Sequence, residues 1–227
     1  MIHPTRHEAG RRLCDALEAY RDRDPVVIAF TPGGLRVAYE IATGLAAGLD
    51  YLAARKVKIP GQRRSLVGAV TPRACVLDRE SVAELAVPDS YLDMLIEEKQ
   101  AEVSWEATRF RGGLPPIPLK GRWVIVADDG MADPLQVEAI VDTVREAGAA
   151  SVVFATPACS TRMDQLIAPN VERVVALSEP AEGRSFVVCD ERFAQTTAAD
   201  ARQLIESARR LQRAPRGAWI SPVGVLP

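Results

Sequence analysis

The chain has 227 residues, 48% of them hydrophobic, and its 28 basic and 30 acidic side chains leave a formal charge of -2. This length suits one α/β domain with additions and a full core, being somewhat beyond the roughly 100 to 200 residues usual for a single domain. The near-balance of charge excludes a broad positive field for nucleic acid. The longest apolar runs, Val26 to Phe30 and Val152 to Ala155, fall far short of the roughly 18 residues of a membrane span.

Met1 to Leu13 carries His3, Arg6, His7, Glu8, Arg11 and Arg12 without the apolar segment of a secretion signal, so a cytoplasmic location is expected. Cys14, Cys75, Cys159 and Cys189 are scattered and form no CxxC pair. They read as free, mostly buried thiols, and no metal site is expected.

Glu8 to Tyr20 places Ala9, Leu13, Ala16, Leu17 and Tyr20 at helical spacing, and Asp22 to Pro25 turns the chain into a strand, Val26 to Phe30. Thr31-Pro32-Gly33-Gly34 interrupts it, and Leu35 to Ala47 resumes as a helix with the apolar stripe Val37, Ile41 and Leu45. A second apolar run, Leu49 to Ala54, ends on Arg55-Lys56. Val57 to Ser65 reads as a loop because Pro60-Gly61 and a basic cluster break any period.

Leu66 to Val70 and Ala74 to Leu77 are short enough to pair as strands. Asp89 to Phe110 is a long helix, with Leu92, Leu95, Ile96, Lys99, Val103 and Ala107 at helical spacing and Asp89 or Ser90 able to cap it. Gly112 to Pro118 is a loop, since three prolines remove donors. Then follow a strand from Val124 to Ala127, a helix from Pro134 to Ala147, a strand from Ser151 to Ala155, a short helix from Thr161 to Ile167 and a strand from Arg173 to Leu177. The alternation points to a parallel sheet covered on both faces. A short strand, Phe186 to Cys189, a helix from Ala198 to Leu211 and a loose end marked by Pro215, Pro222 and Pro227 complete the reading.

Open α/β sheets bind ligands beyond the carboxyl ends of their strands, so Thr31 to Gly34, Arg55-Lys56 and Asp128 to Asp133 are expected to converge. Together they supply a glycine turn, two cations and adjacent carboxylates, which suits a sugar diol carrying phosphates. Each element also has a plainer reading. Asp128 and Asp129 serve a diol or hydrated cation and a helix cap about equally well, Gly33-Gly34 is also an ordinary tight turn, and Arg55-Lys56 also fits a solvated edge.

The segment Val124-Ile125-Val126-Ala127-Asp128-Asp129-Gly130-Met131-Ala132 resembles the start of the phosphoribosyl pyrophosphate motif of type I phosphoribosyltransferases. Glu8-Ala9-Gly10-Arg11, Gly33-Gly34, Arg55-Lys56, Pro60-Gly61-Gln62, Gly68-Ala69-Val70 and the Phe193 to Ile205 tail resemble, in the same order, a bacterial branch of that family. The resemblance implies a twisted parallel sheet flanked by helices, with a small hood. On that pattern residues 1–227 form a single domain, 72–118 a mainly helical insertion and 178–227 a hood or tail region.

In active members the paired carboxylates bind ribose hydroxyls, the glycine loop helps hold pyrophosphate, and magnesium joins the phosphates. The resemblance therefore gives Asp128 and Asp129 ribose binding, Gly33 and Gly34 the pyrophosphate loop, and Lys56, with Arg55 beside it, a phosphate-side charge. The partners it implies are a nucleoside, nucleotide or sugar phosphate, with Mg2+ if the chain is an active transferase, and a homodimer is compatible with it.

Three departures stand out. Where the family continues with Thr-Gly-x-Thr, a loop gripping the 5′-phosphate, this chain has Asp133-Pro134-Leu135-Gln136. Both hydroxyls are gone, proline deletes an amide donor, and a carboxylate stands where a phosphate would dock. Asp133-Pro134 is at the same time a strong helix start. The family's Pro-Arg-Gly-Gly appears as Thr31-Pro32-Gly33-Gly34 and so loses its arginine, with Arg36 nearby at a different position, and Arg63-Arg64 stand where the family often has an acid. The expected function is ligand binding by a divergent homologue with weakened use of phosphoribosyl pyrophosphate; an active transferase and an assembly protein are the alternatives.

Overall fold

Two all-apolar strands, β1 (Val26–Ala29) and β6 (Trp123–Ala127), form the centre of the molecule, because a strand covered on both faces has no polar face to offer water. In the computed structural model, which describes residues 5–61, 65–130, 132–179 and 196–213, they lie side by side in parallel, Val26 opposite Val124 and Ala29 opposite Ala127. β2 (Gly48–Tyr51) adds to the free edge of β1, and β7 (Ser151–Ala158) and β8 (Arg173–Ser178) extend the other side. The sheet order is β2-β1-β6-β7-β8, and every pairing is parallel. The α/β class and the flanked parallel sheet expected from the sequence are therefore present.

Side chains alternate between the two faces. Val27, Ala29, Ile125 and Ala127 join a core with α1 (Arg6–Ala16), α2 (Gly34–Gly44) and α7 (Ala198–Arg213). Val26, Ile28, Val124 and Val126 join another with α5 (Pro134–Glu146) and α6 (Thr161–Ile167). The helix after β1 thus covers one face and the helix after β6 the other. The two connections diverge at the carboxyl ends of neighbouring strands, the place where open α/β sheets generally bind ligands.

A second layer was not legible as such. β3 (Arg55–Lys58), β4 (Leu66–Val70) and β5 (Cys75–Leu77) form an antiparallel sheet in that order. Its core of Val57, Ile59, Val67 and Val70 packs on Leu92 and Leu95 of α4 (Asp89–Arg111). Val103, Ala107 and Phe110 of the same helix reach the main core, so α4 ties the two layers together. The loop expected from Val57 is corrected: Arg55 to Lys58 pair with Val70 to Leu66, and only Val57 is fully buried, which hides the strand's period. The cap expected at Asp89 or Ser90 is corrected too, since Asp89 is already helical and Pro88 stands at the N-cap. A short helix α3 (Arg79–Glu84), capped by Asp78, precedes it.

The strand expected at Phe186 to Cys189, the proline-marked end, Arg63-Arg64, His3 and Cys189 lie outside the described residues. Cys14 and Cys159 are buried free thiols and Cys75 is exposed. Among the described residues no helix is long and apolar enough to cross a membrane.

Helices α1 and α2 approach closely because two glycines face each other's helix. A β-carbon on Gly10 would stand 2.7 Å from Glu40 Cβ and 2.9 Å from the Val37 carbonyl, and one on Gly44 would stand 2.3 Å from Cys14 Sγ. Gly10→Ala gains up to about 1 kcal/mol of helix propensity, whereas overpacking against a backbone carbonyl costs about 1 to 3 kcal/mol. A net loss of about 1 to 2 kcal/mol is expected in urea denaturation. A stabilised variant would show that the helices do not touch there.

Candidate functional site at the carboxyl ends of β1 and β6

β6 ends on Asp128 and Asp129 at the carboxyl edge of the sheet, where Asp128 is fully buried and Asp129 nearly so. The Asp128 amide still donates to the Ala155 carbonyl at 3.0 Å, extending the pairing with β7. Its carboxylate Oδ2 accepts from the amides of Gly130 at 2.7 Å and Ala132 at 3.0 Å. Gly130 has φ of 91°, a left-handed conformation in which glycine carries no steric penalty, and this curls the turn back over the carboxylate. Burial raises the Asp128 pKa to about 7, the charge of Asp129 adds to the rise, and the amide hydrogen bonds oppose it.

Asp129 faces Arg6, which arrives from the first turn of α1, 123 residues away in sequence: Arg6 Nε donates to Asp129 Oδ2 at 3.0 Å. Both side chains are largely buried, with 14% and 6% exposure. The glycine turn closes on the same carboxylate. A β-carbon on Gly33 would stand 1.9 Å from Asp129 Oδ2, and one on Gly34 would stand 3.1 Å from the Ala127 carbonyl and 3.2 Å from Asp128 Cα. The absence of side chains at Gly33 and Gly34 is what allows the β1 turn to lie against the acidic pair. Thr31 Oγ1 accepts from the Gly34 amide at 3.0 Å and fixes the start of α2.

Asp133 is the N-cap of α5, its Oδ1 accepting from the Leu135 amide at 3.1 Å, with Pro134 in the first turn. Gln136 completes the capping box and also donates through Nε2 to the Ala54 carbonyl at 3.1 Å, joining α5 to the end of the β2 connection. Lys56 Nζ lies 4.0 Å from Asp133 Oδ2, a loose ion pair. Asp133, Pro134 and Leu135 also line an open cavity of about 560 Å³ with Asp78, Glu138 and Arg162.

Of the residues singled out in the sequence, Gly33, Gly34, Asp128 and Asp129 come together, and Lys56 meets Asp133. Arg55 is otherwise engaged: its guanidinium pairs with Glu106 of α4, which also accepts from the hydroxyl of buried Tyr51. Burial, followed by the Glu106 charge, pushes the Tyr51 pKa upward. Arg36 contributes to lowering the pKa of Asp200 on α7, after the hydrogen bonds from Thr197. The sequence reading missed Arg6 as part of the site. Its only local signal was a basic residue next to Thr5, a good helix cap, whose Oγ1 accepts from the Glu8 amide at 3.0 Å.

Among the described residues no three His, Cys, Asp or Glu side chains gather as for a metal ion. With Asp129 held by a guanidinium and Asp128 Oδ2 by two amides, the carboxylates do not form a magnesium cage by themselves.

No family model matches the chain. Two Mycobacterium tuberculosis proteins, from strains CDC 1551 and H37Rv, are each named "Putative phosphoribosyl transferase" and are 33% identical over 177 residues, 78% of this chain. The chain spans 40% of the length of these curated relatives. Among solved structures, TT1426 from Thermus thermophilus superimposes with a TM-score of 0.74 at 29% identity, over 91% of this chain and 99% of that one. The chain is thus similar over 78% of its length to two proteins named putative phosphoribosyl transferases, and it shares the fold of TT1426.

Proposed function

We propose that the chain is a divergent phosphoribosyltransferase relative that binds a nucleoside, nucleotide or related sugar ligand between the Gly33-Gly34 turn and the Asp128-Asp129 pair, with weakened or lost use of phosphoribosyl pyrophosphate. The observation that carries this reading is the start of α5. A helix N-terminus binds phosphate through amides that have no partner within the helix, and through the positive end of its dipole. Here the Asp133 carboxylate accepts one of those amides and Pro134 lacks another. Losing two charge-assisted hydrogen bonds, each about 1.5 to 3 kcal/mol, weakens a phosphate by roughly two to four decades before the repulsion from Asp133 is counted.

The sugar end supports binding. Two adjacent carboxylates at the carboxyl edge of a parallel sheet are strong acceptors for vicinal hydroxyls, and the retained turn leaves the backbone close to them. In this reading Asp129 exchanges its bond to Arg6 for bonds from the sugar.

Calorimetry with nucleosides, nucleotides and phosphoribosyl pyrophosphate plus magnesium tests the proposal. A nucleoside or nucleotide is expected to bind, and phosphoribosyl pyrophosphate to bind about 100-fold or more weakly than micromolar. Micromolar binding of phosphoribosyl pyrophosphate with transfer to a nitrogen acceptor would establish an active transferase instead. No thermal shift with any nucleotide or sugar phosphate would overturn the ligand reading in favour of assembly.

A further inference from the structure

The proline-rich loop between α4 and β6 passes the outer edge of β2, where the buried carboxylate of Asp50 anchors it. Asp50 Oδ2 accepts from the Ile117 amide at 2.6 Å, and Oδ1 accepts from the Tyr51 amide at 2.8 Å. Arg209 of α7 meets the charge, its Nη2 lying 3.2 Å from Asp50 Oδ1. The loop held in this way forms one wall of a cavity of about 570 Å³, bordered by the second half of α4 and the end of α5. Thr143 in that border stands ten residues beyond Asp133, or about 15 Å along the helix. The cavity is therefore separate from the Asp128-Asp129 pair and lies toward the amino ends of the strands.

Its lining combines two chemistries. Ile28, Leu52, Ala107, Ile117 and Leu119 give it an apolar floor, whereas Arg73, Arg111 and Lys120 bring three positive charges against the single acid Asp50. That acid is already engaged by Arg209 and two amides, so it does not balance them. Arg111 donates through Nη1 to the Tyr51 carbonyl at 2.9 Å, which fixes its position and uses one of the five donors of a guanidinium. Among the described residues no carboxylate forms an ion pair with Arg73 or Lys120. The volume falls in the range of roughly 300 to 1,000 Å³ typical of small-molecule sites, which are apolar with a few convergent polar groups. Pro72, Pro116 and Pro118 stiffen the walls, so little freedom is lost when a ligand enters.

We propose that this cavity is a second ligand site, which takes a small molecule with an apolar body and one carboxylate. The body covers the floor between Ile28 and Leu119, and the carboxylate accepts from Arg111, with Arg73 and Lys120 adding attraction at the rim. The planar fork of a guanidinium matches a carboxylate in geometry. A single negative charge fits better than a dianion, because Asp50 stands in the same wall and repels each added charge. The site does not depend on the ligand reading of the Asp128-Asp129 pair.

Calorimetry with two matched probes, 2-naphthoate and its uncharged amide 2-naphthamide, tests the proposal. The wild type is expected to bind naphthoate saturably at one site per chain, and naphthamide about 10- to 100-fold more weakly. Arg111→Gln should weaken naphthoate about 10-fold or more while changing naphthamide by less than about threefold. The double variant Arg73→Gln/Lys120→Gln, which removes two exposed rim charges, should weaken naphthoate by about 3- to 10-fold. Thr108→Trp, at an exposed position of α4, fills the mouth and should weaken both probes about 10-fold or more. If Arg111→Gln does not fold, the other two variants decide, since both alter exposed positions only. Equal affinity for the two probes, no saturable naphthoate binding, or naphthoate binding that Thr108→Trp leaves unchanged each overturn the proposal. So does a wild type that sediments as a dimer while Thr108→Trp sediments as a monomer, which would give the cavity to a second copy of the chain.

Discussion

Asp128→Asn is expected to raise stability at pH 8 and to flatten its dependence on pH between about 4 and 7. The wild-type carboxyl is fully buried, and burial first, then the neighbouring Asp129, raises its pKa from 3.8 to about 7. A carboxyl whose folded pKa exceeds its unfolded one holds its proton more tightly in the native state. Its contribution is fully present below pH 3.8 and is lost as pH rises through about 7. At about 1.4 kcal/mol per pKa unit, the ionised form costs on the order of 4 kcal/mol at pH 8.

Asparagine removes that charge and keeps an oxygen to accept from Gly130 and Ala132, but its amide nitrogen needs a new partner, which costs about 1 to 3 kcal/mol. The net gain is therefore about 1 to 3 kcal/mol at pH 8, vanishing or reversing at pH 4.5, as read by urea denaturation at the two values. The titration midpoint belongs to the Asp128-Asp129 pair and not to one residue. Wild-type stability that is flat from pH 4.5 to 8 would show that the buried charge is not the cost inferred here.

Gly33→Ala is expected to lower stability by about 2 to 4 kcal/mol and the melting temperature by roughly 5 to 15 °C. The backbone itself would tolerate alanine: φ is -70° and ψ is -41°, and replacing glycine in an allowed conformation usually gains about 0.4 to 1 kcal/mol through the unfolded chain. Any loss therefore reports the contact. The new β-carbon would stand 1.9 Å from Asp129 Oδ2 and 2.8 Å from its Cγ, so the carboxylate must move by more than an ångström. Because that carboxylate is bonded to Arg6 at 3.0 Å inside a largely buried pair, the displacement separates two desolvated charges. Gly34→Ala, whose nearest neighbours are Thr31 Oγ1 at 2.8 Å and the Ala127 carbonyl at 3.1 Å, is the control that presses on the turn without touching the ion pair. A Gly33→Ala protein as stable as wild type would show that the turn does not pack on Asp129.

How far the sequence reaches depends on where the stabilising contacts lie. The central strands were legible because Val26–Ala29 and Trp123–Ala127 are nearly continuous apolar runs bounded by turn residues. The α5 start was legible because an aspartate followed by proline and glutamine makes its cap from neighbours within three residues. β3 was not, since Arg55, Lys56 and Lys58 surround a single fully buried Val57 and the strand is held by a partner beyond the Pro60-Gly61 turn. α3 has no buried residue, and so no stripe announced it.

The candidate site divides in the same way. The sequence by itself determined the acidic pair, the glycine turn, the capped α5 and their expected meeting at the carboxyl ends of parallel strands, because each is a local pattern and the meeting follows from strand order. Only the tertiary structure decided which cation serves which anion: Arg55 goes to Glu106, Lys56 toward Asp133, and Arg6 to Asp129. The physical reason is reach. A guanidinium on a long side chain pairs with whichever carboxylate the packed helices bring within about 3 to 4 Å. For Arg6 that distance is set by Gly10 and Gly44 at the α1-α2 contact, not by any residue next to Asp129 in the chain.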